Sequence, residues 1–448
     1  MKSPITRRSY LKSAAALTAG LTILPARSAR AYAANEKINI GIIGAGGRGG
    51  ANLKGVGGKK AGDGENIVAL CDVDRGRLDA AASRFPAARQ YTDYRKLLDE
   101  AKDLDAVVCS TPDHNHAPAC IPAMKMGLHC YCEKPLTHDV MEALQMAEVA
   151  AEKKLSTHMG TPSRGSEGVI RQVEIIRSGA LGDVTEAHFW TNRPIWAQGF
   201  DRPAGEDPIP DSLDYECFIG SAPMRPFKAE WPENHPVKQS KWKHRQVYHP
   251  FVWRGWWDFG TGALGDIAPH MWSPAYCGLE LTFPKKVEIV EMSGPVTDMF
   301  PAATTLCFTF PVKNKPDVKV FWYDGGNRPS PEKAGMERVP DGGHILVGTK
   351  ASMGTGAKGT GDFPDVPKTL RRYGDMYQDW LAGIRESDPD RPSCPFSYGG
   401  PLTAAYLLGN IAMKINKTIE WDEQTQKITN HPDANQYLQR EYRKGWEI

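Results

Sequence analysis

The chain has 448 residues, 41% hydrophobic and 24% charged, with a formal net charge of +2; at roughly 150 residues per domain that is room for two or three folded units. Six of the 55 basic residues and none of the 53 acidic ones fall in the first 33 positions, so the remainder carries 49 basic against 53 acidic side chains. A mildly acidic body excludes a nucleic-acid binder, which needs a concentrated basic excess, and points to a small-molecule partner.

Residues 1–33 read as a targeting segment, with a basic start, an apolar stretch over 13–24, Pro25, and small-residue cleavage positions at Ala29-Arg30-Ala31 or Ala31-Tyr32-Ala33. The apolar stretch is too short to anchor in a bilayer, and no later run reaches the roughly 18 residues of a transmembrane helix, so no membrane anchor is expected. Thr6-Arg7-Arg8-Ser9-Tyr10-Leu11-Lys12 resembles the twin-arginine motif. That resemblance implies the twin-arginine export machinery as a partner and a folded protein delivered to the periplasm or the outside.

Strands predicted at 38–43, 67–71, 106–110, 128–132 and 155–158 alternate with helices near 77–85, 117–126 and 140–153, the pattern of a doubly wound parallel sheet. Beyond it, strands at 183–190, 286–291, 304–310 and 318–323 follow one another with few helices between, which reads as an antiparallel sheet. Helices at 373–385 and 402–415 and a polar tail close the chain. The loops 203–211, 223–243, 327–340 and 354–361 are long and rich in Pro or Gly, as lids, binding loops or subunit contacts often are. The nine cysteines lie mostly in apolar stretches and read as small buried hydrophobes. Cys130-Tyr131-Cys132 lacks the two-residue spacing of a metal or redox motif, and His114 with His116 lacks a third ligand, so no metal is expected.

Gly44-Ala45-Gly46-Gly47-Arg48-Gly49 follows the first strand and opens a helix, a G-x-G-x-x-G whose glycines permit a tight turn and close approach to a pyrophosphate at the helix N-terminus. Asp72 ends the second strand, where a carboxylate binds a ribose hydroxyl. This context predicts a dinucleotide. Asp72 favours NAD over NADP, because it would repel a 2′-phosphate; Arg48 and Arg75 keep NADP open.

Thr111-Pro112-Asp113-His114-Asn115-His116 and Glu133-Lys134-Pro135 resemble the Gfo/Idh/MocA family, named for glucose–fructose oxidoreductase, inositol dehydrogenase and rhizopine catabolism, over almost all of the chain after the leader. The resemblance implies an α/β protein: a Rossmann domain with a doubly wound parallel sheet over 36–161, and a C-terminal α/β domain over 162–448 with an open, mostly antiparallel sheet that also makes a homo-oligomer. It implies an NAD(P)-dependent oxidoreductase acting on a secondary hydroxyl of a sugar, glycoside or cyclitol. The family's lysine falls on Lys134 and its paired Asp and His on Asp266 and His270, the expected catalytic residues. Thr111, Pro112, His116, Glu133 and Lys134 join Gly44, Gly46, Gly47, Arg48, Gly49 and Asp72 as expected cofactor residues. Oxidation of an alcohol needs a group that accepts the hydroxyl proton, which His or Lys can do at neutral pH. Asp266 and His270 are four apart and would share a helix face, although Pro269 interrupts that helix or sits in its first turn.

His116 either approaches the nicotinamide or caps the following helix. The aromatic cluster Trp242, Tyr248, Trp253, Trp256 and Trp257 leads into the Asp266 segment. It reads either as core or as platforms for sugar rings, with Tyr248, Trp256 and Trp257 as substrate candidates. Arg164 either reaches substrate or makes a surface ion pair. An exported dinucleotide enzyme has no free NAD pool to draw on, so the cofactor is expected to be bound before export and regenerated in place. The alternative is an NAD-dependent glycosidase that oxidises C3 transiently, eliminates the aglycone, adds water and reduces the ketone. The N-acetylgalactosaminidase branch has Tyr-Pro-Thr-His in the second domain where this chain has Ile267-Ala268-Pro269-His270, which argues against that substrate. A non-catalytic nucleotide-binding sensor is disfavoured by the presence of Lys134, Asp266 and His270.

Overall fold

The computed structural model describes residues 37–448 except 241 and 243; the twin-arginine segment expected at 1–33 lies outside the described residues. The first sheet is formed by β1 (Asn39–Ile43), β2 (Asn66–Cys71), β3 (Arg89–Tyr91), β4 (Ala106–Cys109), β5 (His129–Glu133) and β6 (Thr157–Gly160). All pairs are parallel and the order is β3-β2-β1-β4-β5-β6. β4 is buried along its whole length, and β1 and β5 beyond their first residue, because helices cover both faces and a continuous apolar run replaces alternation. Those helices are α1 (Arg48–Gly57), α2 (Arg75–Ala82), α3 (Tyr94–Glu100), α4 (His116–Lys125) and α5 (Val140–Glu152). The strand order reverses between β1 and β4, and at that point the loops leaving the carboxyl ends of the strands diverge and leave a crevice.

After α6 (Glu167–Arg177), the second sheet contains β7 (Val184–Trp190), β8 (Lys286–Met292), β9 (Thr304–Phe310), β10 (Val318–Tyr323), β11 (Gly343–Gly348), β12 (Ser352–Gly354), β13 (Ile419–Asp422) and β14 (Lys427–Ile428). Its order is β12-β11-β7-β10-β9-β8-β13-β14. The sheet is mixed: β7 and β10 run parallel while the other pairs are antiparallel. Against it pack α7 (Gly262–Met271) and α9 (Phe396–Ile415) in part, whereas α8 (Met376–Glu386) packs on the first half, its Trp380, Leu381 and Ile384 sharing a core with Ile40 and Ile42 of β1. One apolar core runs from Met146 and Met159 of the first half through Leu402 and Tyr406 of α9 to Leu306 and Phe308 of β9.

Several elements differ from the expected ones. β3 has three residues, two of them exposed, too few for a period-2 signal. α9 begins at Phe396 rather than 402, with Pro401 inside its second turn. The polar tail is built into the fold: β13 pairs with β8, and the Arg440 guanidinium reaches Asp139 at 2.8 Å and Glu142 at 3.0 Å. A buried arginine with two carboxylate partners has the composition of a solvated tail, so nothing local marks it as core. All nine cysteines are free and buried.

Candidate functional site

At the end of β1 the chain turns through Gly44 (φ 82°), where a Cβ would come within 2.8 Å of the Ser110 backbone. A Cβ on Gly49 would lie 1.7 Å from the Gly44 oxygen, so only glycine lets α1 start this close to the turn. α1 has no carboxylate in its first turn and no side-chain cap, which leaves its amides and positive dipole end for an anion. Asp72 shapes the turn from below, accepting from Gly46 N at 2.8 Å and Asp74 N at 3.0 Å. Burial pushes its carboxyl above the ordinary aspartate value against the pull of those two amides. The donor set, the glycine turn and the buried carboxylate suit a dinucleotide.

The turn opens into a cleft of about 440 Å³. Gly44, Gly46, Gly47, Arg48, Asp72, Thr111, Pro112, Glu133, Lys134 and His270 all line it, while Gly49 packs behind the turn. Arg48 Nε donates to Glu133 Oε1 at 2.9 Å, and the same oxygen accepts from Asn52 Nδ2 at 3.0 Å. The second half of the chain supplies the rest. α7 carries both Asp266 and His270, with Pro269 in its last turn. Lys134 Nζ donates to Asp266 Oδ1 and to the Asp266 backbone oxygen, each at 2.6 Å, and Arg254 Nε lies 3.5 Å from that Oδ1. Burial works to raise the Asp266 carboxyl, but the Lys134 and Arg254 charges outweigh it and hold it below the ordinary range. His270 Nδ1 is 3.3 Å from Thr161 Oγ1. Burial, aided by the Lys134 charge, lowers this imidazole to about 4, so it is neutral at pH 7 and can take a proton.

Several of the expected site residues have other work. His116 does not reach the cleft: it is buried, with Nδ1 2.8 Å from the Pro135 carbonyl and Nε2 2.9 Å from the Thr111 carbonyl, and so ties the Thr111 loop to the Lys134 loop. Tyr248 and Trp256 are core residues that pack edge to face at 4.9 Å, with Trp256 Nε1 donating to the Val247 carbonyl. Trp257 lies on a separate cavity behind α7, one neighbour being Phe300 at 3.7 Å and another Lys414 at 4.7 Å. Arg164 stands over the Tyr398 ring at 5.0 Å and lies outside the cleft lining. From the aromatic cluster it is Trp253 that lines the cleft, with Arg254 stacked on it at 4.2 Å. Arg254, Arg77, Phe218 and His249 were missed as cleft residues. Arg254 sits between Trp253 and Trp256, a signal that could have drawn attention to it; Arg77 lies on α2, Phe218 on the short helix Tyr215–Ile219 and His249 on a loop, and none of them carries a local mark of a site. The thiols of Cys109, Cys120 and Cys132 lie within 4.8 Å of one another in the core beneath the cleft. Burial pushes each of them up, keeping them as neutral packing groups.

The family model described as an oxidoreductase family with an NAD-binding Rossmann fold matches residues 38–161. Those residues form an NAD-binding Rossmann domain similar to that of the Gfo/Idh/MocA family. The chain is similar to inositol 2-dehydrogenase 4 of Saccharopolyspora erythraea, 33% identical over 150 residues, which cover 33% of this chain and 43% of that protein. A glycosyl hydrolase family 109 protein of Shewanella pealeana is 29% identical over 206 residues, covering 40% of this chain and 44% of the relative. The chain thus spans less than half the length of these curated relatives. The fold is similar to that of myo-inositol dehydrogenase from Lactobacillus casei, solved with NAD(H) and myo-inositol, with a TM-score of 0.52 and 15% identity over 86% of this chain and 97% of that one.

Proposed function

We propose that the protein is an NAD-dependent oxidoreductase of a secondary hydroxyl on a sugar, glycoside or cyclitol, working with a retained cofactor that is regenerated in place. The observation that carries this reading is the convergence, in the cleft of the glycine turn, of the Lys134–Asp266 pair with a neutral His270. When bound, NAD accepts the two electrons and the hydrogen that leave the carbinol carbon. The chain does the rest. Lys134, oriented by two oxygens of Asp266, presents its remaining N–H to the substrate oxygen and stabilises the charge that develops there. His270 accepts the hydroxyl proton at the imidazole nitrogen not engaged by Thr161. Trp253 offers an apolar wall beside the polar groups, a combination suited to a carbohydrate.

The similarity to the Shewanella family 109 protein supports a second reading, the redox-neutral glycosidase, which needs the same proton acceptor. Purified protein, desalted and denatured, should release NAD or NADH identifiable by mass spectrometry. Lys134→Ala should keep the nucleotide and lose turnover; unchanged turnover removes Lys134 from the mechanism. Ketone formation coupled to reduction of a second carbonyl compound supports the oxidoreductase, whereas an aglycone released without net NADH supports the glycosidase.

Export through the leader and association through the second sheet belong to the same proposal. The exposed Val290 on β8 supports the latter. Retention of a fusion in the cytoplasm, or a single-chain mass by light scattering, would remove these parts respectively. No helix among the described residues is long and apolar enough to cross a membrane.

A further inference from the structure

We propose that residues 212–219, backed by 249–253, form a strap that closes the Asp72 end of the cleft and holds the dinucleotide in place. The inference rests on the retained-cofactor part of the reading above and assigns the device responsible.

Two backbone hydrogen bonds fasten the strap just past β2. Arg75 N donates to Ser212 O at 2.9 Å and Asp214 N donates to Val73 O at 2.8 Å, which together make the antiparallel bridge between Asp74 and Leu213. Leu213 is buried. The chain then turns into a short helix, Tyr215–Ile219, which Asp214 caps by accepting from Cys217 N. Phe218 of that helix lines the cleft together with Asp72, Val73 and Arg77. His249 meets the Phe218 ring edge-on at 5.6 Å and lies 3.7 Å from Asp74 Oδ2, and Pro250, Phe251 and Trp253 continue the wall.

The other side of the strap is sewn to the loop after β4. His114 Nε2 lies 3.1 Å from both the Phe218 and Ile219 carbonyls, Ser221 N donates to Asn115 Oδ1 at 3.3 Å, and Ser221 Oγ donates to His114 O at 2.9 Å. His114 and Asn115 are thereby committed to holding the strap. The loops after β2 and β4 flank the crevice in which a doubly wound sheet binds its ligand. A segment fastened to both bridges the exit on that side, and a nucleotide leaving there has to displace it. Such a clasp, made of backbone bonds on one side and side-chain bonds on the other, slows departure without any contact to the reacting atoms.

Arg75→Pro tests the strap with little harm to the fold. Arg75 is the first residue of α2, where proline is favoured, and Asp74 is already extended at φ −99°, ψ 112°, as the residue before a proline prefers. The Arg75 side chain is exposed and outside the cleft lining. The substitution deletes the N–H that holds Ser212 and places ring carbons against it. His249→Ala tests the wall independently. Protein loaded with NADH is chased with excess NAD, and release is followed by loss of tryptophan-to-NADH energy transfer; nucleotide per chain after desalting is counted by mass spectrometry. Wild type should keep its nucleotide through desalting, and each variant should release it about tenfold faster with the thermal midpoint of the nucleotide-free protein little changed. Equal release from wild type and both variants overturns the strap. A wild type that loses its nucleotide on desalting yet turns over with added NAD overturns retention and strap while leaving the oxidoreductase reading intact.

Discussion

One carboxylate serves two cations of the cleft wall, Lys134 and Arg254, which makes the two halves of the Lys134–Asp266 pair unequal. The Lys134 and Asp266 side chains are 15% and 13% exposed, so neither charge is well solvated, and Arg254 stands 3.5 Å from the shared oxygen. Asp266→Asn leaves Lys134 and Arg254 facing each other without a counter-charge and should destabilise the protein by about 3–5 kcal/mol, the cost of an uncompensated buried charge. Lys134→Met leaves Asp266 still beside Arg254 and should cost about 2 kcal/mol, the worth of one charge-assisted hydrogen bond. In the double variant only Arg254 is left charged, so the two losses should fall short of additivity by about 1–2 kcal/mol. Urea unfolding of the four nucleotide-free proteins, followed by tryptophan fluorescence, measures all three quantities. Equal costs for the two single variants, or strict additivity, would refute Asp266 as the shared counter-ion.

His270→Asn should lower turnover by about 10²- to 10⁴-fold with nucleotide content unchanged. Because burial holds His270 at about 4, it is deprotonated above that value, and the acid limb of kcat/KM should fall below pH 5; a limb near pH 6.5 would assign the proton to another group. His114 and His158 are fully buried and lowered to about 3, below the unfolded value near 6.5. The unfolded chain therefore binds more protons between those values, and stability present above pH 6.5 should be lost as pH falls through this window, by about 2 kcal/mol for each imidazole at pH 5; a flat urea midpoint from pH 8 to 5 would contradict this. Trp256→Phe loses the bond to the Val247 carbonyl and should reduce stability by about 1–2 kcal/mol while leaving the substrate KM unchanged, since a shifted KM would return Trp256 to the substrate wall.

The parts of the site legible in the amino-acid order are those whose function depends on local geometry. Gly44 to Gly49 must be glycine-rich because a positive φ and a missing Cβ are needed within six residues, and Asp72 announces itself at the end of the next long strand. The four-residue spacing of Asp266 and His270 places both on one helix; Pro269 neither interrupts nor opens that helix but lies inside its last turn, and the helix runs on to Met271 without the bond a proline cannot donate. Side-chain type alone could not separate a tryptophan facing substrate from one in the core. Trp253 and Trp256 are three apart in the same aromatic run, and only packing against Tyr248 and Phe259 decides that Trp256 turns inward while Trp253 faces the cleft. The histidines of the Thr111–His116 loop look like chemistry in one dimension and prove to be ties between loops.

Local backbone requirements and short-range periodicity therefore determined the first sheet apart from β3, and the glycine turn, while the choice of Lys134, Asp266 and His270 came from the family resemblance. Tertiary structure decided which charges meet. Lys134 and Asp266 are 132 positions apart, Arg440 reaches Asp139 across 301, and residues 212–219 reach the end of β2 by backbone bonds that no side-chain pattern encodes. Such contacts depend on where two sheets dock, a global minimum over the whole core rather than a preference of any segment.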